Sequence, residues 1–158
     1  MSNSEIICDL ENSPISIILI VEDNLADVAL VREVLRESST PHTLLVAKDA
    51  DEAIQVLRHK GKYASAPRPD LVLLDINLPG QSGHDLLREV KMDKALKTVP
   101  VIMLTSSGAD ADIELAYQNG ANCYLQKPPD LKGYLDVIGS LDSFWLRVSI
   151  LPRRWKFK

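Results

Sequence analysis

The sequence has little cysteine, no long apolar run and no repeated or low-complexity segment, and each shortage removes a class of protein. Its two cysteines, Cys8 and Cys123, stand far apart in a chain of 158 residues, without the paired spacing of a zinc or redox motif. A disulfide scaffold is thereby excluded, and a reducing intracellular compartment is the default. No stretch approaches the roughly 20 apolar residues that cross a bilayer. The N-terminus carries no basic region ahead of an apolar run, so it does not read as a secretory signal. The expected location is the cytoplasm, with no membrane contact. Positive charge is also scarce outside the C-terminus. Arg147, Arg153, Arg154, Lys156 and Lys158 account for five of the 18 basic residues, which leaves 13 against 22 acids elsewhere, a net charge of −9. A body this acidic is not built for nucleic acid. The tail Arg153-Arg154-Trp155-Lys156-Phe157-Lys158 does interleave basic and aromatic residues, but a frayed terminus accounts for six such residues better than a binding surface.

What is present is an ordinary globular composition, 46% hydrophobic and 25% charged, in a length that suits one domain. Residues 1–14 read as a flexible leader, 15–146 as the domain, and 147–158 as a basic extension too short for an output domain. The organising stretch is Asp70-Leu71-Val72-Leu73-Leu74-Asp75-Ile76-Asn77-Leu78-Pro79-Gly80. Four apolar residues running into one carboxylate suit a strand buried on both faces of a parallel sheet. Similar runs at Ile15–Val21, His42–Ala47, Val99–Leu104 and Ala121–Gln126 alternate with helical spacing over residues 25–37, 49–60, 84–93, 110–119 and 130 to about 146. Strict alternation predicts an α/β fold, a doubly wound five-stranded parallel sheet of order 2-1-3-4-5 with five helices, the flavodoxin-like arrangement.

That topology brings the C-terminal ends of strands one, three, four and five to one rim. Those ends read Glu22-Asp23, Asp75, Thr105 and Lys127. Three carboxylates held together repel one another unless a cation joins them, and a hard, oxygen-ligated Mg2+ answers that need. Lys127 and Thr105 then offer charge and a donor to a phosphoryl group, with one carboxylate as candidate nucleophile. Taken alone, an Asp ending a strand is more often a turn or helix cap; its three companions at matching strand ends argue otherwise. His42, His59 and His84 share no ligand or triad spacing and read as structural or exposed.

With these motifs in place, the sequence resembles the receiver domains of two-component response regulators over residues 15 to about 146. The match rests on Glu22-Asp23, the Asp75 strand with Leu78-Pro79-Gly80 and Gly83, Thr105, and Lys127-Pro128. The resemblance implies that Asp75 is the phosphoacceptor and that Asp23, Asp75 and the Asn77 carbonyl ligate Mg2+. It implies that Glu22 holds metal-bound water, Thr105 bonds the acyl phosphate and Lys127 pairs with it. It further implies a cis Lys127-Pro128 peptide and a switch in which Thr105 moves and Tyr124 turns inward. The chain is also similar to single-domain regulators that partner bacterial and cyanobacterial phytochrome histidine kinases, through Tyr63-Ala64, Ala66-Pro67-Arg68-Pro69-Asp70, Ala121-Asn122-Cys123-Tyr124, Phe144-Trp145-Leu146 and Leu151-Pro152. The implied partner is such a kinase, and the implied chemistry is on the protein itself and not on a separate substrate. One alternative is a receiver-fold interaction module that works without phosphate. Another is a haloacid-dehalogenase-type phosphohydrolase, disfavoured because Asn77 stands where such enzymes carry a second acid.

The final helix has an apolar arc wider than one sheet-facing stripe requires. Docking through Leu131, Leu135, Ile138 and Trp145 is expected to leave Val137, Leu141, Phe144 and Val148 as an exposed flank. Such a flank predicts a homodimer; the competing expectation is that Ile150, Leu151 and Trp155 fold back over it.

Overall fold

The computed structural model describes residues 15–152, so the leader 1–14 and the end of the basic extension lie outside the described residues. The strands are β1 (Ser16–Val21), β2 (His42–Ala47), β3 (Leu71–Leu74), β4 (Val101–Thr105) and β5 (Cys123–Gln126). All neighbours pair parallel in the order β2-β1-β3-β4-β5. The helices are α1 (Leu25–Arg36), α2 (Ala50–Leu57), α3 (Gly83–Met92), α4 (Asp110–Gln118) and α5 (Leu131–Leu141). A π-helical segment, Asp142–Val148, continues α5. None of these helices is long and apolar enough to cross a membrane.

Side chains alternate faces along each strand, and the sheet divides its core accordingly. Leu19, Val21, Val72, Leu74, Val101 and Met103 pack against α2, α3 and Ala116 of α4. Ile18, Ile20, Leu71, Leu73, Ile102 and Leu104 pack against Val28, Val31 and Leu35 of α1 and against Tyr134, Ile138 and Leu141 of α5. Four helices begin on a side-chain cap: Asn24, Asp49, Ser82 and Asp130 each accept from backbone N–H groups of the first turn, filling donors that the helix itself leaves open. Gly120, at φ +96°, closes α4 in the left-handed conformation that glycine adopts without strain.

The last helix departs from expectation. Tyr134, Ile138 and Leu141 face the core, while Leu131 is 59% exposed and Trp145 only half-buried. Leu141 therefore does not belong to an exposed flank, and Val137 is half-buried against the same core. A wide apolar arc permits more than one inward stripe, and the packing selected the one led by Tyr134. Beyond Leu141 the turn widens to the i→i+5 pattern of a π-helix. Residues five apart then share a face, which keeps Leu146 buried with Leu141 and turns Phe144 and Val148 out, at 54% and 70% exposure. Leu151 folds back into the same core while Ile150 stays exposed; Trp155 lies outside the described residues.

Candidate functional site

Parallel strands deliver their carboxyl ends to one rim. Val21 pairs with Leu74, and Thr105 with Gln126, so Glu22, Asp75, Thr105 and Lys127 emerge side by side. Gly83 sets the floor. A Cβ built there would lie 2.0 Å from the Asp75 carbonyl oxygen, so only glycine lets the first turn of α3 close on the strand end.

The centre of the site is the Lys127 ammonium. Nζ donates to Glu22 Oε2 at 2.6 Å, to Asp27 Oδ2 at 2.9 Å and to Asp75 Oδ2 at 3.3 Å. Asp75 and Glu22 are buried, and Thr105 is wholly so. Burial is the largest influence on the Glu22 carboxyl and pushes it up to about 7 against the pull of Lys127 and the Asn24 N–H; the adjacent Asp75 carboxylate pushes the same way. Burial alone would lower the Lys127 ammonium, but Glu22, Asp27 and Asp75 outweigh it and hold the group charged. With all three acids ionised, the carboxylates around this one ammonium carry a surplus of two negative charges.

That surplus bears on the cation. Among the described residues no three His, Cys, Asp or Glu side chains are grouped as a ligand set. Asp23 is exposed and outside the Lys127 cluster, and both Glu22 oxygens are engaged, Oε1 by the Asn24 N–H and Oε2 by Lys127. Of the expected ligands, the Asp23 and Asp75 carboxylates and the Asn77 carbonyl, Asp75 is the one held beside Lys127. Two carboxylates and a carbonyl, completed by water, suit a small hard cation that keeps much of its hydration.

One expectation changes. Among the described residues no peptide is cis, so Lys127-Pro128 is trans. Trans is the lower isomer of an X–Pro bond by about 0.5–1 kcal/mol, and Lys127 reaches its three carboxylates from that state, so no contact here demands cis. The acids around the ammonium are Glu22, Asp27 and Asp75. Asp27 went unnoticed in the sequence, although it is the third residue of α1 and so faces the helix start. Tyr134 lies in the apolar arc of the last helix. Its hydroxyl is buried with no hydrogen-bond partner among the described residues.

A second polar chain leaves the site. Thr105 Oγ1 lies 3.5 Å from the Ser107 N–H, at the limit of a hydrogen bond. Ser107 Oγ donates to Asp112 at 2.5 Å, and His84 Nε2 meets the other Asp112 oxygen at 3.1 Å. The half-buried Tyr124 donates its hydroxyl to the Ser107 carbonyl at 2.8 Å. The Ser107 hydroxyl, then His84, hold the Asp112 carboxyl below its ordinary range. His84 is thus a buried structural partner, and Tyr124 is tied to the loop that follows Thr105.

Comparison with known proteins agrees with this geometry. The family described as response regulator receiver domain matches residues 18–138. The response regulator Rcp1 of Synechocystis is 41% identical over 142 residues, covering 90% of this chain and 97% of that protein. A crystal structure of the phosphorylated cyanobacterial phytochrome response regulator RcpA superposes with a TM-score of 0.86 at 40% identity, over 89% of this chain and all of that one. The Mn2+-bound form of Rcp1 gives 0.85 at 40% identity, over 87% and 99%.

Proposed function

The chain belongs to the response regulator receiver family, and from that membership we propose that it accepts a phosphoryl group on Asp75 from a phytochrome-type histidine kinase. The observation that carries this reading is the Lys127 ammonium 3.3 Å from a buried Asp75 carboxylate that ends the central strand. An Asp75 oxygen attacks the phosphorus of a kinase phosphohistidine. The new P–O bond forms as the P–N bond breaks, and the departing imidazole nitrogen takes up a proton. Lys127 then offsets the added phosphoryl charge, and Thr105 donates its hydroxyl to a phosphoryl oxygen. A Mg2+ ion held by Asp23, Asp75 and the Asn77 carbonyl, with Glu22 orienting its water, would neutralise charge on the transferring oxygens.

The output is a protein contact. Drawing Thr105 toward the phosphate pulls on the Ser107 loop and on Tyr124, which carries the signal to the β5–α5 side. The exposed Phe144 and Val148 support a homodimer there, Leu141 being withdrawn into the core and Val137 half-buried against it. In the test, the full chain is incubated with acetyl phosphate and Mg2+. Wild type is expected to label, Asp75→Asn to fold normally without labelling, and Asp23→Asn to bind Mg2+ more weakly. Equal labelling of Asp75→Asn overturns the assignment, and an unlabelled wild type favours an interaction module that works without phosphate.

A further inference from the structure

The phosphoacceptor is not the acid that holds Lys127 most closely. Asp27 at 2.9 Å and Glu22 at 2.6 Å both lie nearer the ammonium than Asp75 at 3.3 Å. Glu22 is buried and additionally fixed by the Asn24 N–H. Asp27 is different: its side chain is a quarter exposed and sits on α1, away from the strand ends. It lines a cleft of about 410 Å3 with Lys127, Ser106, Gln126 and Tyr134. Tyr134 is 4% exposed, and its hydroxyl finds no partner among the described residues. A buried hydroxyl that makes no hydrogen bond is a cost that most native structures avoid. Here its residue lines the same cleft as the one carboxylate of the cluster that α1 contributes. Burial above all, with Asp27, Glu22 and Asp75 adding to it against Lys127, pushes the Tyr134 hydroxyl up to about 12, so it is a donor at any physiological pH.

We propose that Asp27 and Tyr134 form a parking site for Lys127. Asp27 holds the ammonium in the unphosphorylated protein, and the Tyr134 hydroxyl takes over Asp27 when Lys127 moves to the phosphoryl group. In the first state the tyrosine donor is unmatched; in the second, tyrosine and aspartate satisfy each other. The orphan hydroxyl therefore biases the site toward the phosphorylated arrangement, and Asp27 opposes it. Both are positioning residues that act through Lys127. The proposal rests on Asp75 being the phosphoacceptor.

Beryllium trifluoride, which mimics a phosphoryl group on a carboxylate without covalent turnover, separates the possibilities. Its affinity with Mg2+ is measured on the full chain for wild type, Tyr134→Phe, Asp27→Ala and the double variant. Tyr134→Phe is expected to weaken binding about tenfold, the lower end of what one hydrogen bond to a charged group supplies, and Asp27→Ala to strengthen it. In the Asp27→Ala background Tyr134→Phe is expected to change nothing, since no Asp27 carboxylate remains for the tyrosine to take over. With 13C-labelled tyrosine, the Tyr134 Cζ resonance is expected to shift on ligand addition in wild type and to stay in place in Asp27→Ala. A role in packing alone predicts equal Tyr134→Phe effects in both backgrounds and no dependence of the resonance on Asp27; either result overturns the parking site. A wild type that binds no beryllium trifluoride, or an Asp75→Asn variant that binds it normally, instead overturns the phosphoacceptor reading on which it stands.

Discussion

Gly83 shows how closely the chemistry is packed. The position has no Cβ because the Asp75 carbonyl oxygen occupies that space, and the Ile76 Cα lies just beyond it. Both obstacles are backbone, so neither can rotate aside. Gly83→Ala is expected to cost about 3 kcal/mol or more, the upper end for a methyl forced into a filled interior. It should also slow labelling by displacing the Asp75 strand end. Urea unfolding and acetyl phosphate labelling measure the two effects, and an alanine variant of native stability would contradict the packing. Thr105 makes the opposite case. Its hydroxyl has no role in forming the P–O bond, so Thr105→Ala is expected to label at Asp75 yet fail to transmit. Amide NMR shifts around Tyr124 on phosphorylation should then be much smaller than in wild type. Equal shifts in both proteins would show that Tyr124 responds by another route.

The segment from Leu131 to Leu151 is where helical periodicity stops being a sufficient guide. An α-helical projection places Leu141 with Phe144 and Val148. The packing instead buries Leu141, Leu146 and Leu151, spaced five apart, as the chain passes from α-helix through a π-helical stretch to an extended return. Asp142, at the junction, accepts a 2.6 Å hydrogen bond from the Ser38 hydroxyl beyond α1, which anchors the point where the register changes. Leu141→Ala and Leu146→Ala are each expected to destabilise by about 2–5 kcal/mol, as buried leucines do. Val148→Ala should stay within about 0.5 kcal/mol in the monomer. Chemical denaturation at low protein concentration gives all three values, and a neutral Leu146→Ala would mean that the core does not include the π-helical stretch.

Assembly is decided by the surface that remains when the core is filled. Phe144, Val148 and Ile150 are large, apolar and more than half exposed, and Phe144 is braced edge-on by Trp145 at a centroid distance of 5.4 Å. Wild type is expected to sediment as a dimer at tens of micromolar and Phe144→Asp as a monomer, because a carboxylate cannot be buried there without a partner. A monomeric wild type, phosphorylated or not, would leave this face to another protein.

The strand order, the two-sided burial and the site positions Asp75, Thr105 and Lys127 were all legible in the chain. Alternation of buried runs with helical spacing admits few topologies, and a parallel sheet places every strand's carboxyl end on one rim regardless of packing detail. The caps at Asn24 and Asp130 are local too, each a short polar side chain directly ahead of a helical run. Other features depend on contacts between residues distant in sequence. Asp27 and Lys127 are 100 positions apart, and nothing in the pattern of α1 says that the one acid of its first turn will meet an ammonium on another element. The inward stripe of α5 and the change of register at Asp142 have the same origin. Each is a choice among locally acceptable conformations, and the fit of one element against another makes it.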